Sequence, residues 1–96
     1  MLENRFKTKL IKKLESLFPG CMVFHLDPNE YQGIPDLLIL YEDTWFALEG
    51  KQYGNSSKRP NQDYYVDTMN KMSFATFIDQ DNEEDVLNEL QRTFKP

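Results

Sequence analysis

Cysteine and histidine are nearly missing from this chain, which has one residue of each, Cys21 and His25, among its 96 residues. A single cysteine cannot form an internal disulfide, and nothing in this usage points to a secreted protein. Cys21 and His25 also cannot complete the four-ligand set of a structural zinc site by themselves. We therefore expect a protein of a reducing cytoplasm.

Long apolar runs are missing as well. No stretch approaches the roughly 18 apolar residues of a membrane-spanning helix. Met1 leads into the charged residues Glu3, Arg5 and Lys7 rather than into the apolar core of a signal peptide. We therefore expect no membrane partner.

The chain also lacks an overall excess of positive charge, because its formal net charge is −5. Residues 1–60 hold eight Lys or Arg against eight Asp or Glu, whereas residues 61–96 hold three against eight. The basic residues of the first part fall into two groups, Arg5, Lys7, Lys9, Lys12 and Lys13, then Lys51, Lys58 and Arg59. A local basic surface for DNA is therefore compatible with the acidic total.

What is present predicts one small α/β domain over residues 1–96. Hydrophobic residues make up 40% and aromatic residues 14%, enough for one core of two or three layers. Apolar periodicity and turn residues predict helix 2–18, strands 21–26, 37–41 and 45–52, helix 61–72, strand 73–78 and helix 82–94. We expect a mixed central sheet flanked by helices.

The second and third strands are expected to form a hairpin. Leu37–Tyr41 is continuously apolar, which predicts a strand buried on both faces, and Glu42–Thr44 supplies the turn. Asp81 or Asn82 is expected to cap the last helix with its side chain.

This hairpin carries the candidate catalytic residues. Asp36 precedes its first strand and Glu49 lies near the end of its second, so the two carboxylates can converge. Alternation along a strand puts Glu49 and Lys51 on one face, with Gly50 between them. Mg²⁺ or Mn²⁺ takes oxygen ligands, so Asp36, Glu49 and the main-chain carbonyl of Gly50 can hold one ion beside a scissile phosphate. Lys51 would then orient the attacking water or stabilise the transition state.

The same residues resemble the motif of the PD-(D/E)-X-K nuclease superfamily. Gly33-Ile34-Pro35-Asp36 is followed, after a hairpin, by Glu49-Gly50-Lys51. The predicted order of elements is similar to the restriction-endonuclease-like core of that superfamily over nearly the whole chain. Within it, the chain looks most like the small VRR-NUC domains and Holliday-junction resolvases, which are commonly phage-encoded. The resemblance implies the cytoplasm of a bacterial host.

Two more site residues come from the resemblance. Glu3 matches the acid on the first helix of the family, with Glu15 as the alternative, and Gln62 matches a glutamine that opens the second helix. The chain departs from the family in two respects. Gly50 stands where an apolar or small side chain is more usual, and the last strand lacks the basic signature that names the VRR-NUC group.

The resemblance implies an Mg²⁺- or Mn²⁺-dependent endonuclease that hydrolyses phosphodiester bonds in branched or structured DNA as a homodimer. Asp36 and Glu49 would be its metal ligands, and Lys51, Glu3 and Gln62 would assist. The competing interpretation is a catalytically silent domain of the same fold that binds DNA or a protein partner. The acidic charge balance favours this second interpretation. The two retained carboxylates disfavour it, because they repel phosphates and a binding domain has no need of them.

Overall fold

The computed structural model describes the main chain of residues 2–51 and 61–94, and the side chains of residues 5–51 and 61–94. Its helices and strands follow the predicted order, which confirms the α/β class. They are α1 (Leu2–Leu17), β1 (Met22–His25), β2 (Leu37–Tyr41), β3 (Thr44–Gly50), α2 (Gln62–Met72), β4 (Ala75–Ile78) and α3 (Glu83–Thr93). The predicted extension of the third strand to Gln52 lies outside the described residues.

The four strands form one mixed sheet in the order β1-β2-β3-β4. β1, β2 and β3 pair antiparallel, whereas β3 and β4 pair parallel. Antiparallel neighbours can be joined by short turns, and β2 passes into β3 through the two residues Glu42 and Asp43. A parallel pair needs a longer crossover, and α2 lies in the connection from β3 to β4. The predicted hairpin and mixed sheet are both present.

The larger part of the core lies on the face of the sheet covered by α1 and α3. The apolar residues of α1 recur every four positions, so they form one buried stripe along the helix. Val86, Leu87 and Leu90 form the buried side of α3. The main members of this larger core are Phe6, Leu10, Leu14, Phe18, Leu37, Ile39, Phe46, Leu48, Ile78 and Leu90. No helix within the described ranges has the length and apolar character needed to cross a membrane.

The other face of the sheet is covered only in part. α2 packs on β3 and β4, and its small core contains Ala47, Val66 and Ala75. Leu40 of β2 is 37% exposed, and Met22 and Phe24 of β1 are 55% and 42% exposed. The prediction that β2 is buried on both faces is therefore wrong at Leu40, because β1 and β2 extend beyond the area that α2 covers.

The turn before α3 differs from its prediction. Asn82 is the N-cap residue, but its side chain makes no capping hydrogen bond to the helix. Its Oδ1 accepts a hydrogen bond from Asp79 N at 2.8 Å, and its Nδ2 donates to Phe77 O at 3.1 Å. The side chain of Asp79 accepts from the main-chain N–H of Asp81 and Asn82. The Asn82 side chain thus provides hydrogen-bond partners for Phe77 O and Asp79 N at the end of β4. Main-chain polar groups in such a short connection need a partner inside the protein.

Candidate active site

The hairpin brings Asp36 and Glu49 to the same end of the sheet. Leu37 pairs with Leu48, so Asp36, which precedes β2, lies beside the end of β3 that contains Glu49 and Gly50. The Asp36 carboxylate is fixed there, because its Oδ2 accepts a hydrogen bond from Gly50 N at 3.1 Å. The convergence of the two carboxylates on one ion stays a prediction.

Glu49, Lys51 and Gln62 form a connected group on the face covered by α2. Lys51 Nζ lies 3.9 Å from Glu49 Oε2 and donates a hydrogen bond to Gln62 Oε1 at 2.9 Å. Gln62 is the first residue of α2 and is fully buried, so it is not an ordinary solvent-facing residue of that helix. Alternation along the strand accounts for Glu49 and Lys51 on one side, and the start of α2 adds the glutamine.

Lys7 is a residue of this region that the sequence analysis did not single out. Its Nζ lies 2.9 Å from Asp36 Oδ2, and the side chains of both residues are mostly buried, at 18% and 14% exposed. Lys7 approaches from α1, on the opposite face of the sheet from Gln62. The sequence gives no local signal for this contact, because Lys7 and Asp36 lie 29 positions apart.

Gly50 directly precedes Lys51 in the chain, and the side chain of Lys7 passes close to it. A Cβ atom at this position would lie 3.2 Å from Lys7 Cε and 3.4 Å from Lys7 Cγ. These distances are tighter than ordinary van der Waals contact, so a side chain here would push against the stem of Lys7. The departure of Gly50 from the usual family residue therefore has a local structural explanation in the path of Lys7.

The charges of the described site are balanced. Two carboxylates, Asp36 and Glu49, lie with two ammonium groups, Lys7 and Lys51. Among the described side chains the two kinds of charge are therefore equal in number, and carboxylates are suitable ligands for a hard divalent cation.

The donor set fits a hard divalent cation better than a structural metal. Among the described side chains, no group of three or more His, Cys, Asp and Glu residues could hold a metal ion. Mg²⁺ is commonly bound by one or two carboxylates and keeps several water ligands, so Asp36 and Glu49 suffice for it. Mg²⁺ or Mn²⁺ at Asp36 and Glu49 stays a prediction.

Of the two candidate acids on the first helix, the structure describes the side chain of Glu15 but not that of Glu3. Glu3 belongs to α1, but its side chain lies outside the described residues, so its assistance to the site stays a prediction. Glu15 lies two turns after Lys7, about 12 Å along the helix at 1.5 Å per residue. It lines a cavity of about 450 Å³ beside α1, together with Lys7, Thr8, Ile11, Lys12 and His25. Of the second basic group, Lys58 and Arg59 lie outside the described residues.

Comparison with known proteins gives a fold but no sequence relative. No protein-family model matches the chain, and no curated protein matches it. A solved structure described as a VRR_NUC domain has a TM-score of 0.71 and 21% sequence identity, over 98% of each chain. A second, a VRR_NUC domain protein, has a TM-score of 0.69 and 20% identity, over 99% of this chain and 89% of the other. At such low identity the similarity establishes the fold alone.

Proposed function

We propose, from the premise that this chain has the fold of the VRR_NUC domains, that it is a metal-dependent DNA endonuclease. The observation that carries the proposal is the position of Asp36, Glu49 and Lys51 at one end of the sheet. The Asp36 carboxylate accepts a hydrogen bond from Gly50 N at 3.1 Å, and Lys51 Nζ lies 3.9 Å from Glu49 Oε2. A fold alone does not determine a function, so the proposal depends on this group of side chains.

Asp36 and Glu49 are the proposed ligands of Mg²⁺ or Mn²⁺, with the main-chain carbonyl of Gly50 as a third. A divalent cation bound there would neutralise charge on the scissile phosphate and lower the pKa of a coordinated water. The Gly50 N–H holds the carboxylate of Asp36 in place. This contact reduces the reorganisation needed when the ligands come together.

Lys51 is the proposed catalytic cation. Its ammonium group would orient the attacking water and stabilise negative charge that develops on the phosphate. Hydrolysis forms one P–O bond to the water oxygen and breaks one P–O ester bond, and the departing oxygen takes up a proton. Gln62 positions Lys51 through the 2.9 Å hydrogen bond and is buried. Glu3 is the proposed assisting acid from the first helix.

The proposed substrate is branched or otherwise structured DNA, and the proposed state is a homodimer. The substrate rests on the resemblance to resolvase-like nucleases. A chain of 96 residues covers only a short length of duplex, and a symmetric dimer would present two sites to a junction. The exposed apolar side chains Met22, Phe24 and Leu40 favour self-association, because water-facing apolar groups are stabilised by burial.

The second candidate is a catalytically silent domain that binds DNA or a protein partner. The ion pair between Lys7 and Asp36 favours it, because a carboxylate that already has a protein cation has less need of a metal. The acidic charge balance favours it as well. Against it stand the two carboxylates of Asp36 and Glu49, because carboxylates repel the phosphates of DNA and a binding domain has no need of them.

Cleavage of a labelled four-way junction and of a linear duplex, with Mg²⁺ or Mn²⁺, tests the proposal. We expect the wild type to cut the junction faster than the duplex and to stop when the metal is chelated. Asp36→Asn and Lys51→Ala should each lose at least about a hundredfold in rate, because each removes a charge that acts on the transition state.

Lys71→Ala is the matched control for Lys51→Ala, since Lys71 lies in the last turn of α2. We expect it to cut at the wild-type rate. Failure of folded wild-type protein to cut any DNA would exclude the nuclease and favour the silent domain. Cutting that survives Asp36→Asn would exclude the assigned site.

A further inference from the structure

We propose that Lys7 is an additional positioning residue of this site and that a divalent metal must displace its ammonium group from Asp36. The inference rests on the proposed function for the identity of the metal ligands. It assigns to α1 a role in setting the metal concentration at which the site fills.

The first support is the geometry at a single oxygen atom. Asp36 Oδ2 receives both the Lys7 ammonium group at 2.9 Å and the Gly50 N–H at 3.1 Å. A divalent cation at this carboxylate would stand close to the positive charge of Lys7. Like charges at short range repel strongly where water is largely excluded, and both side chains are mostly buried.

The second support is the glycine between Glu49 and Lys51. The stem of Lys7 passes over Gly50, where any Cβ would come within 3.2 Å of Lys7 Cε. Lys7 therefore reaches Asp36 along a path that only glycine leaves open without adjustment. The lack of a side chain at Gly50 thus leaves room for Lys7 to reach the site.

The third support is the space available to a displaced ammonium group. Lys7 also lines the cavity of about 450 Å³ beside α1, whose lining includes the polar side chains of Thr8, Lys12, Glu15 and His25. Lysine has a flexible four-carbon stem, so its charge can move into this cavity by a rotamer change while the helix stays in place. The Glu15 carboxylate on the same cavity offers the displaced ammonium group a charge of opposite sign.

Titration of metal-free protein with Mn²⁺, followed by calorimetry and by the melting temperature, tests the inference without any cleavage assay. A ligand that binds the native state raises the melting temperature as its concentration passes the dissociation constant. For Lys7→Met we expect half-saturation at about tenfold lower Mn²⁺ than for the wild type, because the competing charge is gone. For Lys7→Arg, which keeps the charge, we expect half-saturation within about threefold of the wild type.

Lys13→Met is the matched control. Lys13 lies on the same helix and also forms an ion pair, with Glu83 Oε1 at 2.6 Å. We expect its Mn²⁺ half-saturation to equal that of the wild type. A purely structural role for Lys7 would lower the melting temperature of Lys7→Met without moving the metal dependence to lower concentration. An equal or higher half-saturation in Lys7→Met, or no Mn²⁺ binding by either protein, overturns the inference.

Lys7→Gln provides a second variant should Lys7→Met fail to fold. It removes the ammonium charge and keeps a polar end, so Mn²⁺ half-saturation should again fall. An unchanged or higher Mn²⁺ half-saturation in Lys7→Gln overturns the inference. The two proposals fail separately. If Lys7→Met lowers the Mn²⁺ half-saturation but the wild type cleaves no DNA, only the nuclease is excluded. If the wild type cleaves DNA but Lys7→Met leaves the Mn²⁺ half-saturation unchanged, only the role of Lys7 is excluded.

Discussion

The two faces of the central sheet differ in what their helices bury. The face under α1 and α3 holds a large apolar core that includes Leu10, Phe46 and Leu90, all fully buried. The face under α2 holds a small core around Ala47 and Val66, and its polar end contains Glu49, Lys51 and Gln62. The first face supplies most of the apolar burial, which is the main favourable term in folding. The second has room for charged groups.

This difference between the two faces explains how so short a chain can combine stability with a charged site. Burying a carboxylate and an amide costs free energy, and apolar packing elsewhere must offset that cost. β3 links the two faces, because alternate residues along it point to opposite sides. Leu48 enters the large core, while the next residue, Glu49, enters the site. The rigid face thereby fixes the geometry of the polar one.

The largest expected effect concerns the two cores. Leu10→Ala should lower the free energy of unfolding by about 2 to 5 kcal/mol, because it leaves a cavity in the large core. Val66→Ala, on the α2 face, should cost about 1 to 2 kcal/mol, since it removes fewer methyl groups from a smaller cluster. Urea unfolding measures both values. A Val66→Ala cost equal to or above that of Leu10→Ala would contradict the contrast between the faces.

The next effect separates function from stability on the α2 face. Glu49→Gln keeps the shape of the side chain but leaves the largely buried Lys51 ammonium group without this charged partner, so the protein should lose stability and still fold. Cleavage should fall by at least about a hundredfold, because a metal ligand is lost. Single-turnover cleavage and urea unfolding on the same protein measure the two quantities.

Glu89→Gln is the control for Glu49→Gln, because Glu89 forms an exposed ion pair with Arg92 on α3. It should cleave as the wild type does. Loss of stability without loss of cleavage in Glu49→Gln would mean that Glu49 belongs to the core and not to the site.

A smaller effect is expected where α2 touches the site. Gln62→Ala removes the acceptor of the Lys51 ammonium group, and loss of such supporting partners typically costs about 10- to 100-fold in activity. Gln91→Ala, the same substitution on α3, should leave the rate unchanged. Cleavage rates at saturating metal give the comparison, and equal rates for the two variants would argue that Gln62 only packs.

The smallest effect concerns DNA contact beside the site. Tyr64 lies two residues after Gln62 and is 64% exposed. Stacking on an unpaired base would be lost in Tyr64→Ala, which should weaken junction binding about fivefold. Tyr31→Ala, at a tyrosine that is 59% exposed, serves as the control. Fluorescence anisotropy in Ca²⁺ measures binding without cutting, and identical affinities would exclude Tyr64 from the DNA interface.

Much of the fold could be predicted because local patterns and tertiary packing agree. Strong local signals predict three features of the fold: the apolar periodicity of α1, the apolar run of β2 and the turn at Glu42. The hairpin register follows from that turn, so the position of Asp36 and Glu49 at the same end of the sheet could also be expected. These residues are near in sequence, and few conformations of a short hairpin are available to separate them.

Features that depend on contacts between distant elements could not be predicted in this way. The exposure of Leu40 depends on how far α2 reaches across the sheet, and periodicity does not carry that information. The side chain of Asn82 bonds back to β4 because of the tight turn there. Lys7 meets Asp36 only after α1 packs on the sheet, which joins residues 29 positions apart in sequence. The glycine at position 50 was a visible sign of that contact, but its partner was not.

The most direct test of the central claim is a crystal structure of the protein with Mn²⁺, analysed by anomalous diffraction. The account predicts a peak within about 2.6 Å of carboxylate oxygens from both Asp36 and Glu49, the range for oxygen ligands of such cations. It further predicts that the Lys7 ammonium group has moved away from Asp36 Oδ2. A peak elsewhere, or none at saturating Mn²⁺ with the Lys7–Asp36 ion pair intact, would contradict the account.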